Sequence, residues 1–218
     1  IVDGVLGVSP FVLSQVSVLR GAYSQPADMY GVAPSMEGDP VTEMEARIRD
    51  GIHDLGPTES GLPAVLMGSR LAARMQLLRG DTVTLIAFEN ISIGPMGIPS
   101  PSMRQYQVSG TFTTGMYDYD TKNIYVTLSA SQEQLGIKGK NQVSGLSVST
   151  IDPDEAGVIA GRIQSELGNE FSAISWSATN AALFSALKLE KLAMGLILFL
   201  IVVVAAFNIV STLVMVVV

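Results

Sequence analysis

Residues 192–218 read LAMGLILFLIVVVAAFNIVSTLVMVVV and contain no Asp, Glu, Lys, Arg or His. A helix of about 20 apolar residues crosses the roughly 30 Å hydrocarbon core of a bilayer, and this run is longer. A helix of a soluble domain normally keeps a polar face. The run is therefore expected to span a membrane. Its place after the rest of the chain is not that of a cleaved signal peptide, and its uncharged end predicts that the natural protein continues. Asn208, Ser211 and Thr212 interrupt the run. Spacings of three and four put them on one helix face. Either the hydroxyls bond back to carbonyls one turn earlier, or the face packs on another membrane helix. An Asn amide in lipid has no other partner, which favours packing and implies a further membrane helix, in this protein or beside it.

Residues 1–191 hold all 20 acidic and 13 basic residues, giving a net charge of −7. That balance argues against nucleic acid and against docking flat on anionic lipid. The chain has no cysteine, which excludes disulfides and Cys-based zinc sites. His53 is the single histidine, so a Ser-His-Asp triad has one possible base. Its place near the end of a predicted helix reads as an exposed, dipole-stabilised histidine. The visible flank of the apolar run, Lys188, Glu190 and Lys191, is of mixed sign and sets no orientation.

The soluble part alternates strand and helix signals. Phe11–Tyr23 alternates at Val12, Ser14, Val16 and Val18, and Ala27–Val32 reads as the returning strand of a hairpin. Thr42 and Glu45 have capping-box spacing, and Met44, Ile48, Ile52 and Leu55 predict a helix stopped by Gly56-Pro57. Ala64–Gly68 reads as a buried strand. Ser69–Leu78 reads as a short helix burying Leu71, Met75 and Leu78, and Arg79-Gly80-Asp81 as a turn into a strand at Thr82–Phe88. Further strands are expected at 106–113, 123–128, 143–151 and 171–176, with a helical turn over 129–135. Asp152-Pro153-Asp154-Glu155 starts a helix burying Ala156, Ile159, Ile163 and Leu167, which Gly168 ends. With the strands on either side, that makes a βαβ-like unit. From Ser177 a helix bearing Leu183, Phe184, Leu187 and Lys191 on one face runs into the apolar stretch with no Gly or Pro between.

Residues 89–104, ENISIGPMGIPSPSMR, resist both templates. Their two Gly and three Pro exclude a helix or a central strand. Yet Ile91, Ile93, Met96, Ile98 and Met103 make the segment too apolar for a disordered linker. It reads either as a loop folded on its own domain or as a stiff arm whose apolar tip docks a partner. No nucleotide-binding or hydrolase motif is present. Asp118, Asp120 and Asn123 lack the Gly and Glu of a calcium loop and read as an ordinary acidic turn.

These pieces carry a family resemblance. Leu183–Lys191 (LFSALKLEK) with Ala205–Leu213 (AAFNIVSTL) resembles the second membrane helix of the lipoprotein-releasing permeases LolC and LolE. Gly68–Ala72 (GSRLA), Gly80-Asp81 and Trp176 resemble the same family, and Gly94–Ser100 (GPMGIPS) resembles the LolC hook. Together they cover essentially the whole chain within the MacB/FtsX-like superfamily. The following segment is two residues longer than in the LolC pattern, and LolE has no recognisable hook, so a merged homodimeric subunit is one further form.

The resemblance implies an α+β fold: a split porter-like α/β subdomain (1–61 and 143–178) with an inserted sabre-like subdomain (62–142) carrying the hook at about 89–104. An amphipathic stalk (179–191) and a transmembrane helix (192–218) follow. It implies a multi-pass permease of the bacterial inner membrane, with this domain in the periplasm, that extracts outer-membrane-destined lipoproteins and passes them to a chaperone. Expected partners are a LolD-like cytoplasmic ATPase, a LolA-like periplasmic chaperone, a second permease subunit and the lipoprotein. ATP and Mg belong to the ATPase, so no cofactor, metal or catalytic residue is expected in this chain. The hook residues Ile93, Gly94, Pro95, Met96, Gly97, Ile98, Pro99 and Met103 would grip the chaperone, with Arg104 pairing a chaperone carboxylate. Leu192, Met194 and Leu198 would line a lipid-accepting cavity. The alternative is a MacB/FtsX-like mechanotransmission or efflux permease with another periplasmic partner.

Overall fold

The computed structural model describes residues 2–33, 48–51, 55–56, 58–93 and 99–217. They fall into two compact units, residues 5–149 and residues 1–4 with 150–218.

The first unit is built on β1 (Val5–Arg20), whose alternating Val12, Ser14, Val16 and Val18 are all buried. Gly21, at φ +57, supplies the left-handed turn. It leads into β2 (Tyr23–Val32), paired antiparallel from Arg20↔Tyr23 to Phe11↔Val32. The remaining elements are β3 (Ile48–Gly51), β4 (Ala64–Gly68), α1 (Ser69–Arg74), β5 (Thr82–Ile93), β6 (Pro99–Phe112), α2 (Tyr117–Lys122), β7 (Asn123–Thr127), α3 (Leu128–Gln134) and β8 (Gly145–Thr150).

The strands form one sheet ordered β2-β7-β4-β6-β5-β1-β8, with β3 paired to β6. Because β2 also pairs with β1, the path through β1, β2, β7, β4, β6 and β5 closes on itself. Every strand of this ring sends alternate side chains into one core: Val16 and Val18, Ala27 and Met29, Val65 and Met67, Leu85 and Ala87, Tyr106 and Val108, Ile124 and Val126. Leu71 and Ala72 of α1 and Ala130 of α3 belong to the same core.

Several expectations needed correction. Residues 48–51 are a strand, not part of a helix, pairing Ile48↔Phe112 and Gly51↔Gly110. β5 pairs with β6 no further along than Gln107, and β3 takes up backbone groups of β6 beyond it. The predicted cap at Thr42 and Glu45, and His53, lie outside the described residues. Helix α1 ends at Arg74, and Gln76 turns with φ +54, so Leu77 rather than Leu78 is buried. Asp81 holds that turn, accepting from Leu78 N (3.0 Å) and Arg20 Nη2 (3.0 Å). The acidic turn forms helix α2. Its buried Asp120 accepts from Thr114 N (2.7 Å) and Thr114 Oγ1 (2.8 Å), a structural role.

In the second unit Asp152 caps as expected, accepting from Asp154 N (2.8 Å). The first turn, Pro153–Glu155, is a 3-10 helix leading into α4 (Ala156–Leu167), with Ile159 buried against Gly4. Gly168 ends it at φ +72. Residues 171–176 do not form the expected strand, so the βαβ-like unit is absent. The Gln164 side chain takes this segment's backbone groups instead, donating to Phe171 O (2.8 Å) and accepting from Ala173 N (2.9 Å). After α5 (Trp176–Thr179), α6 (Ala181–Val217) runs unbroken for 37 residues. Stalk and apolar run are one helix, with mean hydropathy 2.8 in its most apolar window and no part of that window buried. The chain is thus a mixed α/β fold with one long apolar helix.

The tightest backbone approach is at Gly68, where a Cβ would lie 2.3 Å from the Asp120 carbonyl oxygen. Backbone cannot yield as a side-chain tip does. Gly68→Ala is expected to cost about 1–3 kcal/mol, the usual range for overpacking, read as a lowered midpoint in urea unfolding.

Candidate functional site

Strands β5 and β6 are long enough to leave the ring together. Strand β1 pairs with β5 over Thr84–Ala87, and β4 pairs with β6 from Gln107 onward. Beyond these limits the two strands pair with each other, through Ile91↔Pro101, Ser92↔Ser100 and Ile93↔Pro99. The described parts of the segment expected to be a loop, residues 89–93 and 99–104, therefore belong to a two-stranded ribbon. Its prolines are tolerated because no further strand among the described residues needs their missing N–H. The register shifts between Ala87 and Ile91, inserting Phe88, Glu89 and Asn90 opposite the Pro101–Ser102 step. Phe88 and Met103 are exposed there.

Helix α3 holds the ribbon's base. Its N-cap is Thr127, whose Oγ1 accepts from Ala130 N (3.2 Å). Spacing of four then places Ala130 and Gln134 on the core face. Gln134 donates from Nε2 to Leu85 O (3.1 Å) and Ser102 O (2.9 Å). Its Oε1 lies 3.4 Å from the Tyr106 hydroxyl, which also reaches Ala130 O at 3.3 Å. Burial raises the Tyr106 hydroxyl pKa to about 12, so it stays a donor. The preceding residue, Glu133, pairs with both Lys138 and Arg104. The Arg104 guanidinium stands 5.9 Å from the centre of the Tyr106 ring. Beside this base lies an open depression of about 640 Å³, lined by Glu89, Leu135, Ile137 and residues 141–144.

Of the residues expected to grip a partner, Ile93 and Pro99 are register partners across the ribbon, and Met103 is exposed. Gly94, Pro95, Met96, Gly97 and Ile98 lie outside the described residues. Arg104 is engaged by its own chain, through Glu133. Leu192, Met194 and Leu198 are exposed on α6. Asn208, Ser211 and Thr212 lie further along the same helix, where Thr212 Oγ1 donates to Asn208 O (2.8 Å), the back-bond expected of a membrane hydroxyl. Trp176 packs edge-on against Phe184 of that helix at 5.3 Å. Among the described residues no group of His, Asp or Glu is arranged to hold a metal. Glu133 and Gln134 were missed by sequence reasoning. Their only signal was a polar pair closing a helical turn.

No family model matches the chain. Individual proteins do. Over 214 residues, 98% of this chain and 49% of the relative, it is 32% identical to the lipoprotein-releasing system transmembrane protein LolC of Xylella fastidiosa (strain 9a5c). The chain is thus similar to a LolC protein along almost its whole length. It is also 30% identical over 213 residues to LolC of Neisseria meningitidis serogroup B (strain ATCC BAA-335 / MC58), covering 97% of this chain and 50% of that protein. The chain thus spans about half the length of the LolC proteins it matches. Among solved structures, the extracellular domain of the noncanonical ABC-type transporter YknZ from Gram-positive bacteria aligns with TM-score 0.46 and 19% identity, over 79% of this chain and 81% of that one. The periplasmic region of MacB from Actinobacillus actinomycetemcomitans aligns with TM-score 0.42 and 14% identity, over 75% and 68%. Those two likenesses are too distant to carry an argument.

Hydrogen bonds from Lys138 and then Arg104 hold the Glu133 carboxyl below its ordinary value. A lowered carboxylate favours the folded state above its unfolded pKa of about 4.3, and loses that contribution as pH falls through the folded value. Carbon-13 NMR is expected to show Glu133 titrating below other surface glutamates. Because the group is exposed, Glu133→Gln at neutral pH should shift stability by less than about 1 kcal/mol while freeing Arg104.

Proposed function

We propose that this chain is the periplasmic domain and second membrane helix of an inner-membrane ABC transporter permease that releases outer-membrane-destined lipoproteins to a periplasmic chaperone. The observation that carries the reading is the match to LolC proteins along 98% of the chain. Two structural features support it. The ribbon β5–β6 leaves the ring as a stiff two-stranded arm, suited to reach a partner. Helix α6, roughly 55 Å long at about 1.5 Å per residue, exceeds the roughly 30 Å needed to cross hydrocarbon, so its first turns stand outside the bilayer as a stalk. A stalk continuous with the membrane helix transmits displacement without a flexible joint.

In this reading ATP and Mg are handled by a LolD-like ATPase on the cytoplasmic face, and this chain contributes no catalytic group. A second permease subunit packs on the Asn208, Ser211 and Thr212 face, and Leu192, Met194 and Leu198 line the route of the lipoprotein's acyl chains. A LolA-like chaperone docks through residues 93–99 and Met103. Arg104 joins that contact when a chaperone carboxylate replaces Glu133. The porter-like and sabre-like division of the periplasmic domain belongs to the same reading, with the sheet running across its boundaries through the β1–β5 and β2–β7 pairs.

Deleting residues 93–103 should abolish co-purification of the chaperone with the full permease complex while the ATPase still co-purifies. Chaperone recovery equal to that of the intact chain would remove the docking role.

A further inference from the structure

Gln134 is 1% exposed, an unusual setting for an amide side chain. Filling space would not require it, since Leu or Met has similar volume. Its amide is fully engaged by groups from two strands. Both Nε2 hydrogens go to backbone carbonyls, Leu85 O on β5 and Ser102 O on β6, and Oε1 faces the Tyr106 hydroxyl. That pattern also fixes which way round the amide sits, because its nitrogen must face the two carbonyls.

The position of these bonds matters more than their number. Ala87↔Ser102 is the last β5–β6 pair before the register shift. Ala87 is also the last β5 residue paired to β1. Beyond that point the ribbon has no lateral strand support among the described residues, so its direction depends on what clamps its base. Gln134 spans both strands at that point, and Glu133 adds a second tie through Arg104 of β6.

We infer that Gln134 is the positioning residue of the ribbon: from α3 it clamps β5 to β6 where they leave the ring, and so fixes the direction in which the arm projects. The clamp itself is independent of the proposed function. Its consequence for partner binding rests on that reading, because an arm held in one direction loses less freedom on docking than one that swings.

The test uses residues 1–218, which contain no cysteine, in nanodiscs. Spin labels go on Ser92→Cys in the ribbon and Tyr23→Cys at the β1–β2 turn, and the distance distribution is measured by pulsed EPR. Gln134→Met keeps volume and removes the amide. Gln134→Glu keeps an acceptor for Tyr106 and, as the protonated acid that burial favours, can donate one bond at most, and Tyr106→Phe keeps both donated bonds. The two Gln134 variants are expected to broaden the distribution, with amide exchange in residues 86–93 about tenfold faster, the scale of one lost hydrogen bond, and exchange in β2 and β7 unchanged. Tyr106→Phe should broaden it less than either. A lowered melting temperature with an unchanged distribution in Gln134→Met would reduce Gln134 to a core residue and overturn the inference. Should Gln134→Met not fold, an unchanged distribution in Gln134→Glu does the same. Chaperone binding separates the two readings. A broadened distribution with weakened binding supports both. A broadened distribution with undiminished binding keeps the clamp and removes the ribbon as the docking element.

Discussion

Strand β1 is hydrogen-bonded along both edges, to β2 on one side and to β5 on the other, and this double pairing closes the sheet. A closed ring has no open edge along its core strands. It also forces one face of each strand inward, where alternating apolar residues fill it. The long hairpin β5–β6 is anchored by its inner half in that ring. Its outer half is then free to extend as a ribbon without supporting a core of its own.

At the ribbon's base the chain places polar groups instead of more hydrocarbon. Gln134, Tyr106, Glu133 and Arg104 form a connected cluster that runs from the core to the surface. Buried polar networks fix a single arrangement when every member is paired, and a directional arm needs one arrangement. The cluster also changes how Arg104 is understood. Its charge is already matched within the chain, so under the proposed docking a partner's carboxylate would have to displace Glu133 rather than meet an idle cation.

The ring's strands were legible where pattern and packing agree. The period-two run at Val12, Ser14, Val16 and Val18, and the uniformly apolar Ala64–Gly68, each place their residues in the core. The failures have physical causes. Ile48 fits a helical stripe with Met44, Ile52 and Leu55, but the edge of β6 beyond β5 recruits residues 48–51 as a strand. Pro99 and Pro101 argue against a central strand, and they occupy an edge. Phe171–Trp176 has strand composition, but the Gln164 side chain satisfies its backbone and no neighbouring strand is needed. Glu133 and Gln134 were illegible because a polar pair on a short helix ordinarily faces water. Apart from Lys138, their partners come from strands more than 25 residues earlier in the chain. The apolar run at 192–218 was the most legible stretch, since length and composition alone define it.

Helix α6 and the ribbon give the chain two extended elements of different chemistry, one suited to lipid and the other to a soluble partner. Under the proposed function, that pairing serves a permease that takes lipoproteins from lipid and passes them to a soluble chaperone. Photo-crosslinking in cells tests it most directly, using a benzophenone amino acid at the exposed Met103 of the ribbon and, for comparison, at the exposed Leu78 on the turn after α1. The account predicts a covalent adduct with the lipoprotein-carrying chaperone from Met103 and none from Leu78. No adduct from Met103, or equal adducts from both positions, would contradict it.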